Sequence, residues 1–220
     1  MRTAVFDLDG TLADTSADLI AAANYCFERL GLGHPLDPVA DATTAFAGGR
    51  AMLRLGFART DGGGKAAEDE QYPLLLAAYA GAIDTHTRLY PGAVEAIEAL
   101  RGAGWATAIC TNKPEGLAET LLQRLGVRPL FGSLVGADTL PVRKPDPAPY
   151  AAAVARAGGD AARSFLLGDT VTDRDTGRAA GVPVALVTFG PEGAGVSRLS
   201  PDALLHAYPD LPAVAARLVP

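Results

Sequence analysis

VFDLDGTLADT (residues 5–15) places two aspartates, Asp7 and Asp9, directly behind a short apolar run. The run is typical of a buried strand, so both carboxylates are expected where that strand ends. Burying neighbouring anions is costly unless a cation or a proton relieves their repulsion. The stretch therefore predicts a bound cation beside the first strand of a sheet.

Short apolar runs recur along the chain and alternate with longer helical patterns. Continuous runs of this kind suit strands that are covered on both faces. The runs lie at residues 3–7, 105–110, 133–137, 164–168 and 184–188, and the helical patterns at 92–103, 115–126, 146–157 and 173–180. This alternation predicts an α/β fold, with a doubly wound, mostly parallel sheet and a Rossmann-like core.

An all-helical pattern interrupts this alternation after the first strand. We predict helices near residues 16–30, 50–57 and 73–83, with the connector DGGGK at 61–65. Beyond Phe189 the chain is rich in glycine and proline, and it ends in a short helix near 210–218. We assign no chemistry to this tail.

The two patterns divide the chain into two domains. Residues 1–14 and 89–220 are predicted to form the α/β core, and residues 15–88 an inserted small helical domain. The sequence YPG at 90–92 marks the return to the core.

Composition and charge exclude several classes of function. The chain has 220 residues, 49% of them hydrophobic, and a net charge of −6. A nucleic-acid-binding face needs a basic balance that is lacking here, and no apolar run is long enough to cross a membrane. Cys26 and Cys110 are too few for a disulfide framework, which indicates buried thiols in a reducing compartment. We expect a cytoplasmic monomer or homodimer that binds neither nucleic acid nor membranes.

Polar groups follow several of the predicted strands. In an open α/β sheet, ligands collect beyond the carboxyl ends of the strands, at a topological switch point. The polar groups are Asp7 with Asp9, CTNK (110–113), VRKPDP (142–147) and GDTVTD (168–173). Because all of them are expected at the same edge of the sheet, the sequence predicts one site, and its residue types suggest phosphoryl transfer.

The carboxylates at this edge suit distinct roles. Asp7 can attack phosphorus to form an aspartyl-phosphate, which splits one displacement into two easier ones. Asp9 can protonate the leaving oxygen and later activate water. Gly10 permits backbone geometry that a side chain would obstruct. Asp169, with Asp7 and the backbone carbonyl of Asp9, would supply the hard oxygen ligands that Mg²⁺ prefers.

A phosphate dianion beside carboxylates also needs positive compensation. Lys144 offers a point charge to a non-bridging phosphate oxygen. Thr111 can donate its hydroxyl, and Asn112 can donate its backbone amide. We therefore predict that these three residues bind the phosphoryl group together with Gly10.

Four stretches, DLDGTLADT, CTNK, RKPDP and GDTVTDRDTGRAAG, resemble in order and spacing the four motifs of the haloacid dehalogenase superfamily, over residues 3–190. The resemblance implies the same nucleophile, acid/base, phosphate-binding and metal positions, namely Asp7, Asp9, Thr111, Lys144 and Asp169. It adds Asp173 as an acidic residue that supports the metal through its hydration shell. It also implies that the inserted helices are the small cap domain of one subclass.

Two longer stretches, at residues 89–122 and 135–147, look like phosphoglycolate phosphatases, which implies hydrolysis of 2-phosphoglycolate to glycolate and phosphate. FAGGRAMLRL (46–55) resembles the cap loop that closes over substrate in those enzymes. From its place in that loop, we predict that Arg50 or the Gly48–Gly49 amides bind the substrate carboxylate.

Three departures from the phosphoglycolate phosphatase pattern leave the predicted chemistry intact. Ala47 stands where glycine is common, and Gly177 stands where alanine is frequent. The tail FGPEGAG (189–195) lacks an aromatic residue that often follows FG. The departures concern the substrate rather than the phosphoryl-transfer residues.

Several other functions share parts of this pattern. A dehalogenase would need neither Asp9 nor Asp169. A phosphonatase would need a lysine in the cap. The sequence offers Lys65 for this role, but Lys65 lies in a glycine-rich connector, which is a poor place to preorganise catalysis. A phosphosugar mutase and a phosphatase of another small phosphorylated metabolite stay open. From a different class, a non-catalytic phosphate-binding interaction protein is the alternative, because fold alone does not fix function.

Overall fold

The computed structural model describes residues 1–60 and 63–220, so Asp61 and Gly62 of the predicted connector lie outside the described residues. These residues divide into two compact units, Met1–Ala13 with Leu89–Pro220 and Asp14–Arg88. Two-residue strands, Ala13–Asp14 and Arg88–Leu89, lie where the chain passes from one unit to the other and back.

The first unit is built on a six-stranded parallel sheet, which confirms the predicted α/β fold. In order across the sheet, the strands are Ser133–Val135, Ala106–Cys110, Thr3–Phe6, Ser164–Gly168, Val184–Val187 and Ala203–Leu205. Thr3 is in register with Ala106 on one side and with Ser164 on the other. The strand order therefore reverses beside the first strand, which is where ligands bind in folds of this type.

The five strands that the continuous apolar runs predicted are buried along their whole length. Val5, Ala108, Val135 and Leu166 belong to one buried cluster with Tyr150 of a flanking helix. The Tyr150 hydroxyl is not left unsatisfied in this apolar setting, because it forms a 2.6 Å hydrogen bond with Ser164 Oγ.

The helices of this unit agree with the predicted bounds to within two residues at either end. They are Ala93–Gly102, Glu115–Arg124, Pro147–Arg156, Val171–Ala180 and Leu211–Leu218. Shorter 3₁₀ turns cover Arg128–Leu130, Ala161–Arg163, Gly193–Leu199 and Tyr208–Asp210. Among the described residues, none of the helices combines the length and the apolar character needed to span a membrane.

The tail contains a strand that the sequence analysis missed. Ala203–Leu205 pairs in parallel with Val184–Val187, and Asp202 fixes the register by accepting a 2.8 Å hydrogen bond from the Val184 amide. Three apolar residues are too few to show whether the period is that of a strand or of a helix. The strand follows from pairing rather than from local pattern.

The second unit is helical, and its helices are Ser16–Arg29, Ala42–Phe46, Gly49–Arg59 and Lys65–Gly81. Ala42–Phe46 was not predicted, because a five-residue helix has no measurable period. The prediction that the last helix begins at Pro73 was wrong, since Pro73 lies inside it. Proline costs a helix one amide hydrogen bond, but the preceding KAAEDEQ is rich in strong helix formers, which carry the helix through this position.

Close packing within the helical unit depends on one glycine. The rings of Phe27 and Phe57 meet edge to face with centroids 5.0 Å apart. A Cβ atom on Gly56 would lie 2.2 Å from the Phe27 ring. Glycine at this position therefore lets two helices approach closely enough to bury both rings.

Candidate active site

Asp7 lies at the carboxyl end of the central strand. Its amide donates a 2.9 Å hydrogen bond to the Leu167 carbonyl, which extends the parallel ladder by one residue. Burial raises the pKa of the Asp7 carboxyl to about 6, although the charge of Lys144 opposes this shift. A largely buried carboxylate with a shifted pKa in a ligand-binding position is a candidate functional group.

The loop after Asp7 turns tightly and is closely packed. Gly10 has a φ of +80°, which side chains rarely adopt, and its amide donates to the Ala13 carbonyl at 2.9 Å. A Cβ atom on Gly190 would lie 2.7 Å from the Gly10 carbonyl oxygen and 3.3 Å from Asp169 Cβ. Two glycines thus allow the loop after the first strand to meet the FG turn of the tail. The backbone role predicted for Gly10 agrees with this geometry.

Asp169 is almost fully buried and is held by Thr11, which the sequence analysis did not select. Thr11 Oγ1 donates a 2.9 Å hydrogen bond to Asp169 Oδ1. Burial raises the pKa of Asp169 well above its usual value, the charges of Asp173 and Asp7 add to the increase, and the bond from Thr11 opposes it. The sequence signal for Thr11 was its place two residues after Asp9 in the same motif.

Lys144 is buried between two carboxylates. Its Nζ atom lies 3.0 Å from Asp7 Oδ1 and 2.7 Å from Asp173 Oδ1. Burial lowers the pKa of Lys144, but the charges of Asp173 and Asp7 more than reverse this, so the net shift is upward. The Asn112 side chain donates a 3.0 Å hydrogen bond to the Lys144 carbonyl and holds its backbone. Lys144 is therefore a fixed cation beside Asp7, and its predicted contact with a phosphate oxygen stays a prediction.

Asp173 occupies the first turn of the helix Val171–Ala180 and has all its oxygens engaged. Its Oδ2 atom accepts hydrogen bonds from the Thr170 amide at 3.1 Å and from the Thr170 hydroxyl at 2.8 Å. Its Oδ1 atom accepts from Lys144. The contacts show a carboxylate that caps a helix and orients Lys144. Its predicted link to a metal through water stays a prediction.

Lys113 is a second buried lysine at this edge and was missed, although CTNK had been selected. Its side chain is 3% exposed, and its Nζ atom lies 2.8 and 3.0 Å from the two oxygens of Asp9. The Thr111 Oγ1 atom accepts from the Lys113 amide at 3.2 Å, which leaves the Thr111 hydroxyl hydrogen to donate elsewhere. A lysine after a strand usually lies in solvent, and no local pattern showed that this one is buried.

The carboxylates at this edge fit a divalent cation. Oxygens of Asp7, Asp169 and Asp173 lie within 4.8 Å of one another. Asp7 Oδ1 is buried and has no aligned hydrogen-bond donor among the described residues, although the Lys144 cation is near. An unsatisfied buried carboxylate oxygen in a set of hard oxygen ligands is what Mg²⁺ would satisfy.

The predicted carboxylate-binding residues of the helical unit lie at one helix start. Gly48, with a φ of +100°, precedes the helix Gly49–Arg59. Arg50 forms an ion pair with Asp69 and stacks over the Tyr72 ring at 4.4 Å. The structure thus gives Arg50 partners inside its own unit, and its role toward a substrate stays a prediction.

Comparison with known proteins gives a family and close relatives. The family described as haloacid dehalogenase-like hydrolase matches residues 1–181. A phosphoglycolate phosphatase of Caulobacter vibrioides is 38% identical over 222 residues, which cover 99% of this chain and 92% of the relative. A phosphoglycolate phosphatase of Mesorhizobium japonicum is also 38% identical, over 98% of this chain and 95% of the relative.

Solved structures agree on the fold. A predicted phosphoglycolate phosphatase from Haemophilus somnus superposes with a TM-score of 0.86 at 24% identity, and 97% of each chain is covered. A putative β-phosphoglucomutase from Thermotoga maritima superposes with a TM-score of 0.73 at 19% identity. At these identities the superpositions establish the fold alone.

Proposed function

The chain belongs to the haloacid dehalogenase-like hydrolases and is a phosphatase of that family, and on this premise we propose that it hydrolyses 2-phosphoglycolate with Mg²⁺ and a phosphorylated Asp7. The observation that carries the proposal is the setting of Asp7, whose partly buried carboxylate ends the central strand beside the fixed cation Lys144. The relatives named phosphoglycolate phosphatase, which match nearly the whole chain, support the substrate.

The first half-reaction transfers the phosphoryl group to Asp7. A carboxylate oxygen of Asp7 attacks phosphorus, the bond to the leaving oxygen breaks, and its electron pair stays on that oxygen. Asp9 gives its proton to the leaving oxygen, so glycolate departs with a neutral hydroxyl group rather than as an alkoxide. In the second half-reaction, Asp9 takes a proton from water as the water attacks phosphorus, and the bond between phosphorus and Asp7 breaks.

Fixed donors hold the phosphoryl group during both steps. Lys144 keeps its position through Asp173 and the Asn112 side chain, so its charge is already in place as negative charge builds on the phosphoryl oxygens. The Thr111 hydroxyl adds one neutral donor. Preorganisation of this kind is effective because the groups need not reorient during the reaction.

Asp7, Asp169 and the backbone carbonyl of Asp9 are the groups that would hold Mg²⁺. The bound ion would neutralise phosphate charge and offset the repulsion between Asp7 and the phosphate. Thr11 orients Asp169 for this task, and we assign Asp173 to the support of Lys144 and the water around the ion. We further propose that the helical unit Asp14–Arg88 acts as the cap domain.

The test is phosphate release from 2-phosphoglycolate, compared with phosphosugars and an aryl phosphate, with and without Mg²⁺. Asp7→Asn is expected to abolish release. Asp175→Asn is the matched control, because Asp175 is half-exposed and pairs with its neighbour Arg174. A preference for 2-phosphoglycolate that EDTA removes would support both parts of the proposal.

Other outcomes of this test separate the alternatives. Metal-dependent turnover of the whole panel without preference would keep the phosphatase and overturn the substrate. Conversion of a phosphosugar to its isomer, with little phosphate released, would favour a mutase. No turnover of any compound would contradict the proposed chemistry.

A further inference from the structure

We propose that Lys113 binds the carboxylate of the substrate and thereby selects phosphorylated acids over phosphomonoesters that lack a carboxylate. The inference rests on the proposed function, since it assigns a second anionic group of the same substrate. It concerns a residue of the α/β unit, whereas the sequence pattern had pointed to Arg50 of the helical unit for this task.

Lys113 is a preorganised cation. Its ammonium group is almost fully buried beside both oxygens of Asp9. Its backbone is fixed on two sides, because its amide donates to Thr111 Oγ1 and its carbonyl accepts a 2.9 Å hydrogen bond from the Ala137 amide. A buried ammonium held in this way loses little further conformational freedom when it binds an anion.

The two buried lysines of the site form ion pairs with different carboxylates. Lys144 contacts Asp7 and Asp173, on the side where the phosphoryl group is received. Lys113 contacts Asp9, the group that delivers a proton to the leaving oxygen. The second lysine is therefore on the leaving-group side, where a phosphorylated acid presents its carboxylate.

Distances within the substrate make this contact reachable. Asp9 must come within about 2.8 Å of the leaving oxygen to transfer a proton. The Lys113 ammonium, 2.8 Å from Asp9, is then at most roughly 6 Å from the leaving oxygen. In 2-phosphoglycolate one methylene separates the leaving oxygen from the carboxylate carbon, so a carboxylate oxygen can bridge this gap. A substrate that ends in a hydroxyl offers no charge to the same ammonium.

A competing interpretation is that Lys113 acts solely through Asp9, as its counter-ion. In that case Lys113 would be a positioning residue, and its loss would slow every substrate by the same factor. Loss of a residue that binds the substrate carboxylate must instead slow substrates with a carboxylate more than substrates without one. The ratio of two substrates therefore separates the two roles.

The experiment compares kcat/KM for 2-phosphoglycolate and 2-hydroxyethyl phosphate, which differ in the carboxylate alone, in the wild type, Lys113→Met and Lys113→Arg. A charge-assisted hydrogen bond predicts that Lys113→Met lowers the ratio of the two values by roughly 10- to 100-fold. Lys113→Arg is expected to retain part of the preference. Lys65→Met, at an exposed lysine paired with Asp69, is the matched control and should leave the ratio unchanged.

Two results would overturn the proposal. An equal loss on both substrates in Lys113→Met would assign Lys113 to Asp9 alone. Equal kcat/KM values of the wild type for both substrates would also overturn it. This measurement uses the wild type alone, so it does not depend on whether a variant folds. Hydrolysis of neither substrate would instead contradict the proposed function.

Discussion

The hydroxyl of Thr11 donates a hydrogen bond to the buried carboxylate of Asp169 across 158 positions of sequence. The Thr11 carbonyl in turn accepts a 2.7 Å bond from the hydroxyl of Tyr208, which belongs to the tail. Thr11 is thus held through both its side-chain hydroxyl and its backbone carbonyl, and these two hydrogen bonds fix the loop after the first strand. The tail, to which the sequence analysis assigned no chemistry, supports a candidate Mg²⁺ ligand through this chain of contacts.

Replacing Thr11 by valine is expected to weaken metal binding. Valine keeps the shape of threonine but removes the donor that lowers the pKa of Asp169. Loss of a hydrogen bond behind a metal ligand typically costs about 10- to 100-fold in affinity. Titration of the metal-free protein with Mn²⁺, followed by electron paramagnetic resonance, measures this directly. Thr11→Ser keeps the donor and should bind like the wild type; equal affinities for Thr11→Val and wild type would contradict the role of Thr11.

Replacing Tyr208 by phenylalanine tests the outer contact. The change leaves the Thr11 carbonyl buried without this donor, which should lower the free energy of unfolding by about 1–3 kcal/mol. We also expect weaker Mn²⁺ binding, because the Thr11 loop is then less fixed. Tyr150→Phe is the matched control, since the Tyr150 hydroxyl is equally buried but bonds to Ser164 away from Thr11. Similar Mn²⁺ affinities in the two variants would show that Tyr208 supports the fold alone.

Sequence pattern correctly placed Asp7 at the edge of the sheet, because its position depends on one local feature, the end of a buried strand. The contact between Lys113 and Asp9 spans 104 positions and depends on which strands are neighbours, a property that no short window contains. The same limit explains why Thr11 and the strand Ala203–Leu205 were missed. Local patterns predicted elements and candidate residues, and the sheet order determined which residues meet.

The metal-free protein should show a pH-dependent stability that originates at Asp7. Burial raises the pKa of Asp7 from 3.8 to about 6. The folded state therefore binds this proton more tightly than the unfolded chain, so stability falls as pH rises from about 4 to about 6 and stays reduced above that range. Asp7→Asn removes this penalty, and we expect a higher Tm than wild type near pH 8 in EDTA.

Thermal unfolding of both proteins between about pH 4 and pH 8 checks this expectation. The advantage of Asp7→Asn should shrink as the pH falls through 6 and become small near 4, where the wild-type Asp7 is protonated in the folded state and about half protonated in the unfolded chain. An advantage that is constant with pH would contradict a titration of Asp7.

Lys144 is expected to serve both stability and catalysis. Lys144→Met leaves Asp7 and the fully buried Asp173 without their shared cation, which should lower the free energy of unfolding by about 3–5 kcal/mol. Loss of the phosphate-binding charge should lower kcat by roughly 100-fold or more. In the double variant Lys144→Met with Asp173→Asn, the unpaired charge of Asp173 is gone and that of Asp7 remains, so urea unfolding should show part of the stability restored while activity stays low. Recovery of activity with stability would contradict a direct role of Lys144.

The surroundings of Gly177 leave no room for the alanine that the sequence analysis expected at this position. A Cβ atom at Gly177 would lie 2.0 Å from Val184 Cγ2. Val184 is buried in a strand and packs with Leu186 and Val196, so it has little room to move. Helix propensity alone predicts that Gly177→Ala stabilises the protein by about 1 kcal/mol. Overpacking of the core costs about 1–3 kcal/mol, and we expect it to dominate.

A double-mutant cycle in urea tests this conflict. Gly177→Ala should destabilise the protein, and Val184→Ala should also destabilise it by removing buried methyl groups. Together the two should cost less than the sum of their separate effects, because Val184→Ala removes the methyl group that the new Cβ atom would strike. Additive effects would mean that the helix shifts to accommodate alanine. The expected coupling would instead show that Gly177 and Val184 are matched in size, so that alanine requires a smaller partner in the neighbouring strand.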